Sequence, residues 1–170
     1  MSETKIKRKT IKITFLGDSQ VGITCLLNAF MDIEFRSDTL STIGVEKIET
    51  LIKMKNGEEM KLILWDTAGQ ERYRSISLAT VRSSHAAVIL FDLTDRMTFN
   101  NVIDWLRDIK EIKDCPIALF GCKSDLKEER KIGKEEGEKI AKDNNIFYFE
   151  TSAKENINIK ESIEMFANEV

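Results

Sequence analysis

Apolar and polar positions alternate over residues 11–16 and then turn fully apolar, with Ile11, Ile13, Phe15 and Leu16 leading into a glycine-containing stretch. This pattern predicts a buried β-strand. Beyond the glycines, Leu26, Leu27 and Phe30 recur at helical spacing and predict a helix over 24–30. Residues 31–41 are polar and irregular, a long loop of the kind that commonly carries function. Strands are expected over 45–54 and 60–65, joined across Asn56 and Gly57. That dipeptide suits a two-residue type I′ turn, so the pair must be antiparallel. Residues 71–83 read as a weakly amphipathic helical stretch.

From residue 86 the pattern becomes regular. Ala86, Ala87, Val88, Ile89, Leu90 and Phe91 form a continuous apolar run, as expected of a strand buried on both faces of a parallel sheet. A helix over 99–110 would turn Val102, Ile103, Leu106 and Ile109 inward. The only proline, Pro116, introduces a strand over 117–120. A helix over 134–144 places Ile140 and Ala141 inward, a strand follows over 147–149, and the final helix carries a core stripe of Ile159, Ile163, Phe166 and Val170. Strands alternating with helices predict an α/β fold of three layers, with right-handed crossovers and ligands at the carboxyl ends of the strands. The sheet is expected to have six strands, mostly parallel with one antiparallel, and helices on both faces. Residues 1–10 read as a basic N-terminal extension and 11–170 as a single domain.

Composition narrows the picture little. A chain of 170 residues suits one domain, which at that size buries about two-thirds of its unfolded surface. Hydrophobic residues make up 42% and charged residues 32%, an ordinary globular balance. No apolar run approaches the roughly 18 residues that cross a bilayer. A net charge of −3 gives no electrostatic attraction to nucleic acid, and Lys5, Lys7, Arg8 and Lys9 read as a solvated start. Cys25, Cys115 and Cys122 lack C-x-x-C spacing, and no apolar signal segment precedes them. Reduced thiols and a cytoplasmic location are therefore expected. Val170 is not preceded by a prenylatable C-terminal cysteine, so a direct membrane anchor is not expected in this stretch. A continuation beyond it would carry a lipid tail or another domain.

Chemistry concentrates just after the strands, where Gly17, Gly22, Gly44, Gly69 and Gly121 all fall. Gly17, Asp18, Ser19, Gln20, Val21, Gly22, Ile23 and Thr24 follow the phosphate-loop pattern G-x-x-x-x-G-K-[ST] except at one position. In that pattern backbone N–H groups cradle phosphate oxygens, the Lys neutralises them and the hydroxyl binds Mg²⁺. Here Ile23 fills the lysine position. The order of strand, glycine loop and helix supplies the expected context, and the helix N-terminus adds its dipole to the anion site.

Asp66, Thr67, Ala68, Gly69, Gln70, Glu71 and Arg72 after Trp65 form one further motif. With Ser41, Thr42, Ile43 and Gly44, and with Thr151, Ser152, Ala153 and Lys154, the chain resembles the small GTPases of the Ras superfamily, most closely the Rab branch, from about Ile11 to Val170. The resemblance implies a P-loop G domain that binds GTP or GDP with Mg²⁺. It implies that Thr24 and Thr42 bind the metal directly and Asp66 through a water, that Gly69 donates its N–H to the γ-phosphate, and that Gln70 orients the attacking water, with Thr42 also in the catalytic set. Cys25 would border the phosphates. Phe35 would pack on the purine, Lys123 lie over it, Asp125 accept from guanine, and Ser152, Ala153 and Lys154 back it. Effectors, exchange factors and activating proteins would engage loops at 39–45 and 69–83, on a cytoplasmic protein recruited to an endomembrane surface.

The chain departs from the family in three respects. Besides Ile23, Cys122 stands where the N-K-x-D motif has Asn, and the aromatic triad of the Rab effector surface maps to Lys47, Trp65 and Thr80, so only Trp is kept. The expected activity is a guanine-nucleotide switch with slow GTP hydrolysis. The alternative is a pseudo-GTPase that uses the fold as an interaction surface. A P-loop ATPase or kinase is disfavoured by Asp125, because only guanine offers that carboxylate two donors.

Overall fold

A computed structural model of the chain describes residues 8–38, 40 and 42–170. The central strand β1 (Lys9–Gly17) starts two residues before the predicted strand, because Lys9 and Thr10 pair with Met60 and Lys61. It lies parallel between β3 (Glu59–Thr67) and β4 (Ala86–Asp92) in a six-stranded sheet of order β2-β3-β1-β4-β5-β6. Strands β5 (Ile117–Cys122) and β6 (Phe147–Glu150) continue it in parallel, and β2 (Val45–Lys53) is the antiparallel member. Mostly parallel strands with helices on both faces are the expected fold. Lys5 and Lys7 of the basic segment lie outside the described residues; Arg8 pairs with Glu59 at 2.9 Å.

Alternation along the strands divides the core in two. Ile13, Phe15, Val88, Leu90, Phe120 and Cys122 face α1 (Ile23–Phe30) and α6 (Ile159–Glu169). Leu16, Ile89, Phe91 and Leu119 face the other way, toward α2 (Arg74–Ser83), α3 (Arg96–Asn100) and α4 (Val102–Ile112), with Ile140 of α5 (Lys134–Asn144) packed at the edge. In the last helix Ile159, Ile163 and Phe166 are buried, and Val170 packs partly buried against the same cluster.

Three local readings are corrected. The β2–β3 loop is not type I′, since Gly57 (φ 85°) has positive φ and Asn56 does not. Gly57 N–H donates to the Met54 carbonyl at 2.9 Å and Met54 N–H to that of Glu58 at 2.8 Å, as in a three-residue loop with a type I turn and a left-handed glycine. The helix expected over 99–110 is two: Asp95 accepts from Met97 N–H at 2.9 Å and starts α3 early, and Asn101 separates it from α4. Its inner face holds Trp105, whereas Ile103 is half exposed, because the stripe through Val102, Leu106 and Ile109 extends to the i+3 position rather than i+1. The helical stretch expected over 71–83 is present as a 3₁₀ turn (Glu71–Tyr73) followed by α2.

Helix α5 meets the sheet closely. A Cβ at Gly137 would overlap the Tyr148 ring, and that ring is pinned by its hydroxyl donating to Glu150 at 2.8 Å and by a stack on Phe91. Gly137→Ala would gain about 1 kcal/mol of helix propensity and lose up to about 3 kcal/mol to overpacking. Thermal unfolding should therefore show a lower Tm for the variant; an unchanged or raised Tm would mean that the helix can retreat.

Candidate functional site

Strand β1 ends at Gly17, which packs so closely on its neighbour that a Cβ would lie 2.7 Å from the Leu90 carbonyl oxygen. The chain then turns back through two left-handed residues, Gln20 (φ 65°) and Gly22 (φ 103°), before α1 begins at Ile23. Among the described residues no side chain caps α1, and its first turn has no acid, so its N–H groups and dipole present a favourable end to an anion. This loop floors a cavity of about 590 Å³. Asp18, Ser19, Gln20, Val21, Gly22, Ile23, Thr24 and Cys25 line it, as do Phe35, Thr42, Gly69, Gln70, Cys122, Lys123, Asp125, Ala153 and Lys154. Gly17, Asp66 and Ser152 stand behind its wall. Thr39 and Ser41 lie outside the described residues.

At the loop end of the cavity, oxygen atoms converge. Thr24 Oγ1 donates to Asp66 Oδ2 at 2.7 Å and lies 2.7 Å from Thr42 Oγ1. Asp66 is buried at the end of β3, and its Oδ1 has no hydrogen-bond partner among the described residues. Burial pushes this carboxyl up to about 6 and Glu46 adds repulsion, while the Thr24 hydrogen bond pulls the other way. An orphaned buried carboxylate oxygen beside two hydroxyls fits a small hard cation such as Mg²⁺, which favours a few protein oxygens and waters. Gly69 follows directly, and a Cβ there would overlap the Asp18 carbonyl, so only glycine lets the two loops meet.

The opposite end is built from the loops after β5 and β6. Ser152 donates to Asp125 Oδ1 at 2.7 Å, Ser124 N–H to the Thr151 carbonyl at 3.0 Å, and Thr151 N–H to that of Gly121 at 2.8 Å. Lys123, in a left-handed conformation, is ion-paired to Asp92 at 2.5 Å. The two departures from the motif pattern both pack into the α1–α6 face of the core: Ile23 is 6% and Cys122 5% exposed. Burial pushes the Cys122 thiol up to about 12.

One part of the site was missed in the sequence. Asp18 of the phosphate loop accepts from Asn101 Nδ2 at 2.7 Å and Trp105 Nε1 at 2.9 Å. The Arg74 guanidinium of α2 lies 3.6 Å from the Trp105 ring centroid and is held by Asp108 at 2.8 Å. The signal present was two polar-tipped residues at i and i+4 on an inward helix face, but their partner is over 80 positions away in sequence. Of the triad positions, Lys47 and Trp65 are cross-strand neighbours, and the Thr80 hydroxyl is engaged with Thr14 and the Ser77 carbonyl.

Trp105→Phe keeps a ring under Arg74 and deletes the donor to Asp18. A charge-assisted hydrogen bond of this kind contributes about 1.5–3 kcal/mol, and urea denaturation should report a loss of that order, less than additive with Asp18→Ala. Because its thiol stays protonated and enclosed, Cys122 should resist a disulfide-exchange reagent at pH 8 until the protein unfolds; mass spectrometry of the labelled native protein checks this.

No helix among the described residues is long and apolar enough to cross a membrane. A model of the Ras family matches residues 12–170. The chain is similar to the Ras-related proteins Rab-13 of Rattus norvegicus, 38% identical over 94% of this chain and 79% of that protein, and Rab-8A of Bos taurus, 39% identical over 94% and 77%. It is also similar to Rab-8 of Diplobatis ommata, at 40% identity over 94% and 76%. A sheet with its loops gathered around one cavity, the WDTAGQER and SAK motifs on its walls, and these matches over nearly the whole length show that the chain belongs to the Ras family of small GTPases, as a Rab-like member.

Proposed function

We propose that this chain is a guanine-nucleotide switch of the Rab kind, with slow GTP hydrolysis, acting in membrane trafficking on an endomembrane surface. The observation that carries the reading is the cluster of Thr24, Thr42 and Asp66 with its unpartnered buried Oδ1. A chain without a cation to bind would leave that oxygen at a cost of about 1–3 kcal/mol. When bound, Mg²⁺ would neutralise phosphate charge at this end of the cavity.

The chain's own residues divide the work. Asp125, oriented by the Ser152 hydroxyl, accepts two donors from guanine, and adenine would leave it unpaired. Phe35 offers a ring to the base, and Lys123, Ala153 and Lys154 border it. Gly69 packs against Asp18 of the phosphate loop, where its N–H would donate to the γ-phosphate, and Gln70 lines the cavity beside it to orient water. Thr42 meets α1 through Thr24, so a ligand held there would fix Thr42 and its release would free it. Exchange factors, activating proteins and effectors would read this change on 39–45 and 69–83, where Leu40, Ile43 and Ile76 are exposed. The exposed Lys47 beside Trp65 changes that surface from the Rab pattern, so it favours different effectors. Residues 11–170 act here as the G domain.

Neither Ile23 nor Cys122 makes the hydrogen bond of the residue it replaces. Each loss weakens the complex by about 10- to 150-fold. Hydrolysis suffers more than binding, since charge develops on the phosphates in the transition state. A second reading, a pseudo-GTPase serving as an interaction module, draws on the burial of both side chains in one apolar cluster.

Denaturing the purified protein and chromatographing the supernatant separates the two. Stoichiometric GDP or GTP is expected; an empty protein that also fails to titrate with labelled GDP in Mg²⁺ would sink the switch. Ile23→Lys should raise GDP affinity about tenfold or more, because position 23 borders the cavity and a lysine there can turn its ammonium out of the apolar cluster and into it. Equal affinities would mean that another cation already serves the phosphates.

A further inference from the structure

We propose that the outer edge of β2 is a self-pairing surface, through which a second copy of this chain adds its own β2 antiparallel and joins the two sheets into one.

Strand β2 ends the sheet, and among the described residues it pairs with β3 alone. Its register with β3 is unbroken from Val45 to Lys53, so no bulge bends the edge away. The direction of its free backbone groups follows from the two ends of that ladder. Ala68 N–H donates to the Gly44 carbonyl at 2.9 Å, and Met54 N–H to the Glu58 carbonyl at 2.8 Å. Even-numbered residues therefore turn their polar backbone toward β3, and alternation turns that of Val45, Lys47, Glu49, Leu51 and Lys53 outward, where the sheet supplies no partner. A long uncovered edge of this kind is a template for another strand.

The side chains decide which strand. Ile48 and Ile52 turn toward the α1–α6 side of the core, so the odd-numbered residues share the opposite face. Charges on an edge ordinarily discourage pairing, but here both signs occur, at neighbouring positions of one face. A two-fold axis through Ile48 sets Lys47 opposite Glu49 of the second copy and Glu49 opposite its Lys47, with Val45 facing Leu51 at both ends. Directly opposed unlike charges and apolar pairs stabilise a ladder. Other registers spoil the match. An axis at Lys47 opposes two lysines, one at Glu49 opposes two glutamates, and one at Thr50 sets Lys47 against Lys53. Axes nearer either end shorten the ladder, and axes between residues oppose outward groups to inward ones. The strand is self-complementary in one register, as a two-fold interface requires.

Within one copy Glu49 already pairs with Lys47, and with Lys61 at 2.5 Å. Such exposed contacts contribute little alone, and a lysine from the second copy would extend them into a network across the axis. Leu51, 49% exposed, would gain cover from the facing Val45.

The test is sedimentation velocity over a concentration series, on the wild-type protein, Lys47→Glu, Glu49→Lys and the Lys47→Glu/Glu49→Lys double variant. The wild type should show a reversible monomer–dimer equilibrium. Either single substitution opposes like charges in both symmetry-related pairs and should weaken dimerisation about tenfold or more, with Tm nearly unchanged. The double variant should dimerise like wild type, and an equimolar mixture of the two single variants should form a heterodimer, since each supplies the charge that the other lacks. Ile48→Cys, on the axis, should cross-link as a disulfide dimer in a glutathione redox buffer beyond any wild-type background, whereas Thr50→Cys, opposite Glu46 rather than itself, should not. A wild type that stays monomeric at every concentration overturns the proposal. So do single variants that dimerise undiminished, a mixture that fails to associate, or equal cross-linking through the two introduced thiols.

Discussion

The register of β1 between β3 and β4 is the constraint on which the site depends. Phe15 is paired with Asp66, and Gly17 with Leu90. Farther along, Asp92 is level with Cys122, and Gly121 with Glu150. Five parallel strands consequently release their chains at one edge, and the loops that line the cavity converge there without a dedicated scaffold. A slip of one residue in β1 would turn Ile13 and Phe15 from one face of the sheet to the other and move Gly17 off Leu90. The close contacts at Gly17 and Gly69 then act as gauges of that register, since neither position has room for a side chain.

Against this frame the two motif departures are a single packing change as well as two lost polar contacts. Ile23 and Cys122 both turn their side chains into the cluster beneath α1 and α6, with Val21 and Leu90 among its members. Burying an isoleucine contributes roughly 1.5–3 kcal/mol relative to exposure, comparable to the hydrogen bond to phosphate that a lysine would have made. The first benefit is present in every state of the protein and the second only with ligand bound. Such a chain shifts free energy from the bound state to the fold. On the nucleotide-binding reading proposed above, a ligand would then draw on the remaining contacts, chiefly the Thr24, Thr42 and Asp66 oxygens and the backbone cradle.

Sequence patterning carried the fold well where one face decides burial. The continuous apolar run of β4 is buried at all six positions, and α5 has the expected bounds. It failed where two side chains compete for a helix face, as with Ile103 and Trp105, because periodicity cannot tell an indole that is buried for its polar tip from an aliphatic neighbour. It also failed at Asn56–Gly57, where the dipeptide is compatible with two loop lengths and the Lys53–Glu59 pairing selects the longer. At the site, motif spacing located most of the cavity wall, since motif residues act through backbone and short side chains close to their own strand ends. The Asp18–Trp105–Arg74 chain was illegible for the opposite reason: its members come from separate elements, and only packing brings them together.

That chain also bears on how a switch can work with a weakened phosphate loop. A loop lacking its lysine loses a contact that would help define its shape when ligand is present. Here Asp18 is fixed from outside by Asn101 and Trp105, and Gln20 holds a left-handed conformation that costs a non-glycine residue about 1–2 kcal/mol. Strain of this kind persists only where surrounding contacts enforce it. The α4 anchor is therefore a source of preorganisation independent of nucleotide, and Arg74 extends it to α2, the element that follows Gln70. Movement of α2 would strip the cation from the Trp105 ring and loosen the Asp18 carboxylate, so α2 and the 17–24 loop share one physical connection through α4.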